Sequence, residues 1–408
     1  MDAHRRNLLV SLAAGGAAAS LPIAAAAQPA AAAPDGGPAG QAWLDLAAAM
    51  VEVEAKYSAP PYAGTDPVQR AEARRFMAHT LQAALEFWTD ADPARPVFTR
   101  FVGPHKKLLG DNPDALYYFA AIDPAQRYVI RGNLNGAVYT SITIERGSGD
   151  GRGSKGLTAT LNDSEFDVRP DGSYEVVLGG PKLARNWMPL SPDSATLTTR
   201  HYFEWVRSAA ADPNLQIPLA IAPLDPLPPP PPADEAFVAA NLKRAANFLR
   251  AVTLDIPPSD VPRPRPSIVA KTPNTFPVPD PSFSNRGTGY AAADNVYVQG
   301  EYRLAADEAL VMRGRFPPGR FANVMLWNRY LQTYDYANRR TSLNRRQTRL
   351  EPDGSFKMVV AHSDPGTPNW LDTEGRPRGV IFWRFMLSVG AIEPIRTKVV
   401  KLSQVGLA

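Results

Sequence analysis

The sequence predicts a mainly β protein with α-helical additions, organised as two tandem β-sandwich or jelly-roll-like domains, each preceded by helix. Three observations predict this. Runs rich in Tyr, Val, Ile and Thr alternate with Gly, Asp and Pro turn signals at intervals of ~8 to 12 residues, the spacing of antiparallel sandwiches and barrels. Asp353-Gly354-Ser355-Phe356 followed by Asn369-Trp370 repeats an earlier stretch, Asp171-Gly172-Ser173-Tyr174 followed by Asn186-Trp187, and an Arg-Gly pair stands forty residues ahead of each, Arg131-Gly132 and Arg313-Gly314. Between the copies, five consecutive prolines at 228–232 can only be extended and stiff.

A chain of 408 residues with 44% hydrophobic and 21% charged residues can bury substantial cores. A net charge of +4 without a basic block gives nucleic-acid binding no support. The absence of cysteine excludes a disulfide framework, a thiol nucleophile and Cys-ligated metal.

Arg5-Arg6-Asn7-Leu8-Leu9 precedes an apolar, Ala-rich run ending in Ala25-Ala26-Ala27. This pattern predicts a cleavable signal peptide of twin-arginine type over 1–27, hence a periplasmic or secreted protein. Later residues offer no apolar run long enough to span a bilayer. Residues 28–40, rich in Ala, Pro and Gly, read as a disordered leader.

The N-terminal domain, 41–222, opens with a helix over 41–57, where Trp43, Leu46, Met50 and Val53 fall at helical spacing. Asp66-Pro67 supplies the cap and first-turn proline of a second helix ending near Thr89. Strands are expected at 116–121, 127–131, 138–145, 157–161, 165–168 and 174–178. The alternation of Thr196, Thr198, Arg200 and Tyr202 predicts a closing strand. A proline-rich linker occupies 223–233. The C-terminal domain, 234–408, starts with a helix carrying Phe237, Leu242, Phe248, Leu249 and Val252, then passes a second proline-rich stretch at 256–281. Its strands are expected at 296–302, 309–313, 323–326, 356–360, 380–387 and 398–402. Asp111-Asn112 corresponds to Asp294-Asn295, and Arg200 to Arg384.

Several motifs together resemble a known bacterial family. They are Gly110-Asp111-Asn112-Pro113-Asp114 with Tyr117-Tyr118, Leu326-Trp327-Asn328-Arg329-Tyr330 with Ser342-Leu343-Asn344, Asp353 to Phe356, and Asn369 to Thr373 with Gly379. The chain is similar to proteins carrying domain of unknown function 1214, here over about 295–400, often paired with an N-terminal relative, domain of unknown function 1254. The resemblance implies a sandwich or jelly-roll-like fold. It implies no activity and carries over no catalytic residue.

Residues shared by both copies are expected to be scaffold. Asp171 and Asp353 open Asp-Gly turns, and Trp187 and Trp370 are expected to pack on a sandwich edge with Arg200 and Arg384 stacked on them or paired with buried carboxylates. Residues that differ carry the functional expectation. His362, Asp364 and Asp372 have no counterpart in the first copy, and a histidine beside carboxylates is the composition of a general base with an orienting acid. Their spacing matches no metal signature, so no metal is assigned and no cofactor is implied. Asp111, Asn112, Asp114, Tyr117, Trp327, Asn328, Tyr334 and Asn344 combine aromatic faces with amides and carboxylates, a set suited to sugar or other small polar ligands. His105-Lys106-Lys107 reads as a solvated loop or an anion contact.

No Gly-x-Ser-x-Gly elbow, phosphate loop or dinucleotide fingerprint occurs in its required setting. The expectation is therefore a cofactor-independent or weakly metal-dependent hydrolase or lyase acting on a carbohydrate-like or small polar substrate at the interdomain cleft. The alternative is a non-catalytic periplasmic ligand-binding or envelope-interaction protein. The sequence sets no oligomeric state.

Overall fold

The computed structural model describes residues 36–284 and 292–407. The expected signal peptide therefore lies outside the described residues. Chain order runs α1 (Gly37–Tyr57), α2 (Pro67–Trp88), β1 (Thr99–Arg100), β2 (Ala115–Ala121), β3 (Tyr128–Asn133), β4 (Tyr139–Arg146), β5 (Leu157–Asn162), β6 (Ser173–Leu178), β7 (Trp187–Met188), β8 (Ser194–Tyr202) and β9 (Leu219–Pro223). The second half follows with α3 (Glu235–Thr253), β10 (Asn295–Arg303), β11 (Glu308–Gly314), β12 (Phe321–Trp327), β13 (Ser342–Asn344), β14 (Phe356–Ala361), β15 (Trp370–Asp372), β16 (Arg378–Met386) and β17 (Arg396–Lys401).

The helix starts are set by local chemistry. Asp66 accepts the amide of Gln69 at 2.9 Å with Pro67 in the first turn of α2, and Asp234 accepts the amide of Phe237 at 2.8 Å to open α3. Each side chain satisfies an amide that has no partner inside the helix. Helix α1 begins at Gly37, inside the stretch expected as a disordered leader. Its buried face is Ala42, Leu46, Ala49, Val53 and Tyr57, whereas Trp43 is 60% exposed and Met50 45% exposed. Leu46 and Val53 of the expected apolar face are buried, while small alanines, Ala42 and Ala49, form the contact in place of Trp43 and Met50.

The repeat extends to every strand but β1. In the first half one sheet runs β1-β2-β8-β4-β5 and the other β7-β6-β3-β9; in the second half the orders are β10-β16-β12-β13 and β15-β14-β11-β17. Apart from β1 the two halves have one topology, including the parallel pairs β6/β7 and β14/β15. Each half is a sandwich. Ile142, Ile144 and Leu197 meet Ile130, Val176 and Leu178 in the first core, and Val298, Val324 and Ile381 meet Leu310, Met312 and Met358 in the second. The run 165–168 forms no strand; Phe166 packs on Tyr174 instead, with ring centroids 4.9 Å apart.

The shared motifs are scaffold at the level of single bonds. Asp171 and Asp353 each accept the amide of a serine two residues on, at 2.9 Å in both copies. Asn186 and Asn369 donate to the carbonyls of Glu175 and Lys357 at 2.8 and 2.9 Å, tying β7 to β6 and β15 to β14. The Arg-Gly pairs have a steric cause. A Cβ on Gly132 would lie 2.3 Å from the Tyr174 ring, and one on Gly314 would lie 2.8 Å from the Phe356 ring, so each aromatic of the Asp-Gly-Ser motif lies over the glycine of the neighbouring strand.

The helices do not divide between two independent domains. Helices α1, α2 and α3 share one core that also takes in Phe119, Tyr202, Phe321, Tyr330 and Met386. Tyr57 donates to the carbonyl of Thr253 at 2.9 Å, and Asn241 reaches the carbonyl of Thr89 at 3.3 Å. Strands β2, β4, β8, β12 and β16 are consequently buried on both faces, one against their own sandwich and the other against the helices or the opposite half.

Candidate functional site

The outer faces of the two central sheets carry the polar residues of interest. Strand pairing sets Tyr117 and Ser141 on either side of Arg200, and Tyr297 and Asn323 on either side of Arg384. The two arginines are therefore register equivalents on β8 and β16.

One side of this region is a closed polar seam between the halves. Asn323 donates to Asp114 at 2.9 Å and to Asn112 at 2.7 Å, and Asn344 donates to Asp114 at 3.1 Å and to the carbonyl of Trp205 at 3.0 Å. Asp111 accepts the amide of Thr333 at 2.8 Å and its hydroxyl, while Trp327 donates its indole N–H to the carbonyl of Asp111 at 3.0 Å. Burial pushes the Asp114 carboxyl up to about 6, against the donors Asn323, Ser208 and Asn344, and pushes Asp111 up despite the nearby Lys107. The structure thus brings Asp111, Asn112, Asp114, Trp327 and Asn344 together, but as an interface whose side-chain donors and acceptors largely satisfy one another. Asn328 caps its own loop by accepting the amides of Tyr330 at 2.9 Å and Gln332 at 3.2 Å, and Tyr334 shares a 2.7 Å hydrogen bond with Tyr302. Lys106 and Lys107 are buried rather than solvated. Lys106 pairs with Glu86, and Lys107 donates to the carbonyls of Thr333 (2.7 Å) and Tyr334.

Beside the seam lies a cavity of about 300 Å³. Its walls are mostly apolar, among them Phe101, Leu109, Ile268, Phe283, Trp327 and Phe382, and its polar groups are Asp111, Tyr117, Tyr297, Thr198, Gln299, Arg200 and Arg384. Trp327 and Phe382 are stacked at 4.1 Å. Arg384 is 6% exposed, with its guanidinium carbon 5.2 Å from the Phe382 ring, 5.6 Å from Tyr297 and 5.8 Å from Trp327. It donates to the Tyr202 hydroxyl at 3.2 Å and to the carbonyl of Gly110, both neutral, and its Nε has no partner. Arg200 differs. It donates to Thr143 at 2.7 Å and stands close enough to the buried Glu145 to favour that carboxylate's charged form.

Neither arginine packs on the repeated tryptophans, as the sequence suggested. Trp187 and Trp370 instead donate to the carbonyls of Gly179 and Ala361, at 2.9 and 3.0 Å. Alternation along β8 marks Arg200 as sharing a face with Thr198 and Tyr202, but which face is outward follows only from sheet packing.

His362, Asp364 and Asp372 form no base with an orienting acid. The His362 ring nitrogens face the Thr373 hydroxyl at 2.6 Å and the carbonyl of Leu304 at 3.4 Å. A neutral imidazole with Nε2 as donor and Nδ1 as acceptor satisfies both. Asp364 is exposed and caps the amide of Gly366 at 2.8 Å; Asp372 pairs with Arg339 at 2.8 Å and accepts the amide of Glu374 at 2.7 Å. None of the three lines the cavity.

A larger cleft of about 650 Å³ lies between the start of α2, the 259–269 segment and the 374–380 turn. Many of its charges pair with one another, Arg376 with Glu72 at 2.7 Å, Arg329 with Asp260 at 2.7 Å and Arg378 with Asp260 at 3.3 Å, while Arg265 donates to the carbonyl of Ala270 at 3.1 Å. It has no aromatic wall, so we place the candidate site in the smaller cavity, where a cation is left with a donor to spare. Among the described residues, no group of three or more His, Asp and Glu lies close enough to hold a metal ion, and no helix is long and apolar enough to cross a membrane.

Comparison with known proteins places this arrangement in a wider group. No curated protein matches the chain. The structure of an uncharacterized protein from Burkholderia cenocepacia is 30% identical, with a TM-score of 0.75 over 89% of this chain and 98% of that one. The VPA0106 protein from Vibrio parahaemolyticus is 13% identical, with a TM-score of 0.46 over 80% of this chain and 98% of that one. Residues 298–387, spanning most of β10 and all of β11 to β16, match the family described as protein of unknown function (DUF1214). The chain belongs to the family of the Burkholderia cenocepacia protein and carries a DUF1214 domain in its second sandwich.

Proposed function

We propose that this protein is a binding protein that holds a small molecule in the cavity between its two sandwiches. The observation that carries this reading is the cavity itself: about 300 Å³ of space with apolar and aromatic walls and a few convergent polar groups, the make-up of a small-molecule site. A hydrolase or lyase reading centred on His362 has less support, since that imidazole is engaged by Thr373 and Leu304. The apolar walls also favour a ligand with an apolar body over a carbohydrate.

The twin-arginine-like segment at 1–27 motivates a periplasmic or secreted location, and the N-terminal half is proposed to correspond to domain of unknown function 1254. N-terminal sequencing of the protein from a periplasmic fraction tests the first point. An uncleaved chain retained in the cytoplasm refutes it.

Binding is tested by a thermal-shift screen of small molecules against the wild type and Leu109→Trp, which fills the cavity from its rim. Ligands that stabilise the wild type and not the variant are expected. If every stabilising compound acts equally on both, the cavity is not the site.

A further inference from the structure

We infer that the ligand is a carboxylate carried on an apolar body, with Arg384 reading the carboxylate and the aromatic wall holding the body. This rests on the proposed binding role of the cavity and adds the chemical class of what enters it.

The argument starts from the cost of Arg384. A guanidinium keeps its charge in any protein environment, and burying it is unfavourable unless an anion and a full set of acceptors compensate. Arg384 is 6% exposed, yet its hydrogen bonds end on two neutral oxygens and its Nε–H ends on nothing. Asp111, whose charged form Arg384 favours, is already engaged by Thr333 and Lys107. The rings of Tyr297, Trp327 and Phe382 attract the cation but accept no directed N–H bond of ordinary strength.

The register equivalent sharpens the point. Arg200 occupies the same place in the other half and has Glu145 close by in a buried setting, as Arg384 has Asp111, but the hydrogen bonds of Arg384 end on neutral oxygens and its Nε–H is unpartnered. Two arginines of one origin thus line one cavity, each with a protein carboxylate nearby, and the second keeps an N–H free for an acceptor from outside. A carboxylate suits a planar guanidinium better than a neutral carbonyl does, because it accepts two parallel N–H bonds. The cavity walls exclude a strongly hydrated anion and accept a flat or aliphatic body.

The test is a matched ligand series on the full protein: 2-naphthoate, 2-naphthol and 2-naphthylamine, followed by calorimetry. Naphthoate is expected to bind about 10- to 100-fold more tightly than naphthol, the range of a charge-assisted hydrogen bond, with the amine weakest. Arg384→Met is expected to erase that preference while leaving the melting temperature of the ligand-free protein unchanged or raised, since it removes a buried cation whose Nε–H is unpartnered. A lowered melting temperature with the preference intact assigns Arg384 to structure and overturns the inference. Should the variant fail to fold, the wild-type series decides: equal affinity for naphthoate and naphthol overturns the carboxylate assignment. Leu109→Trp separates the two claims. Ligands of other classes that it displaces leave the cavity as a site while refuting the carboxylate, and no displaceable ligand of any kind refutes both.

Discussion

Asn323, in the second sandwich, donates one amide to two acceptors of the first, Asn112 at 2.7 Å and Asp114 at 2.9 Å. The halves are therefore joined by a buried polar seam as well as by apolar contact. Asn323→Ala leaves both acceptors short of a donor and is expected to cost about 1–3 kcal/mol. Urea denaturation measures it, and an unchanged midpoint would show the seam to be energetically idle.

Asp114 gives the same seam a pH dependence. Burial holds its carboxyl at about 6 against an ordinary 3.8, so the fold binds the proton more tightly than the unfolded chain does. That contribution to stability is complete below pH 4 and is lost as pH rises through 6. Its size is on the order of 2–3 kcal/mol at most. Asp114→Asn, compared with the wild type at pH 4.5 and pH 7, is expected to lose less stability on going to neutral pH. Identical pH profiles for the two proteins would contradict this.

The repeated Arg-Gly pairs are expected to respond alike to a methyl group. Gly132→Ala drives a Cβ into the Tyr174 ring, and Gly314→Ala drives one into Phe356, each costing about 1–3 kcal/mol. Combining Gly132→Ala with Tyr174→Val should recover much of the loss, a coupling that a double-mutant cycle reads directly. Additive effects would mean that the strand simply moves aside.

His362→Gln is expected to cost about 1 kcal/mol or less through the Thr373 contact, and to change ligand affinity by less than about twofold. Calorimetry with any ligand displaced by Leu109→Trp measures the second quantity. A tenfold loss of binding would return His362 to the site.

Much of the architecture was legible because local chemistry dictates it. The Asp66-Pro67 and Asp234 caps, the Asp-Gly-Ser turns and the period-two runs each act within a few residues. The repeat was legible because its motifs make equivalent bonds in both halves, as Asn186 and Asn369 do. The burial of Ala42 and Ala49 in place of Trp43 and Met50 was not, since alanine gives little hydrophobic signal and serves here by letting helices approach.

The site followed a different logic. The rule that shared residues are scaffold held for Asp171, Asp353, Trp187 and Trp370, and it drew attention to His362, Asp364 and Asp372, which the fold ties into separate local contacts. Arg200 and Arg384 share a motif position but not an environment. By itself, then, the sequence determined two sandwiches of one pattern, their turns and their caps, all consequences of short-range bonding. Only the tertiary structure decided which face of β8 and β16 meets the other half, and so brought both arginines to one cavity and left Arg384 there with an unpartnered N–H, because desolvation depends on what packs across the interface and not on neighbours along the chain.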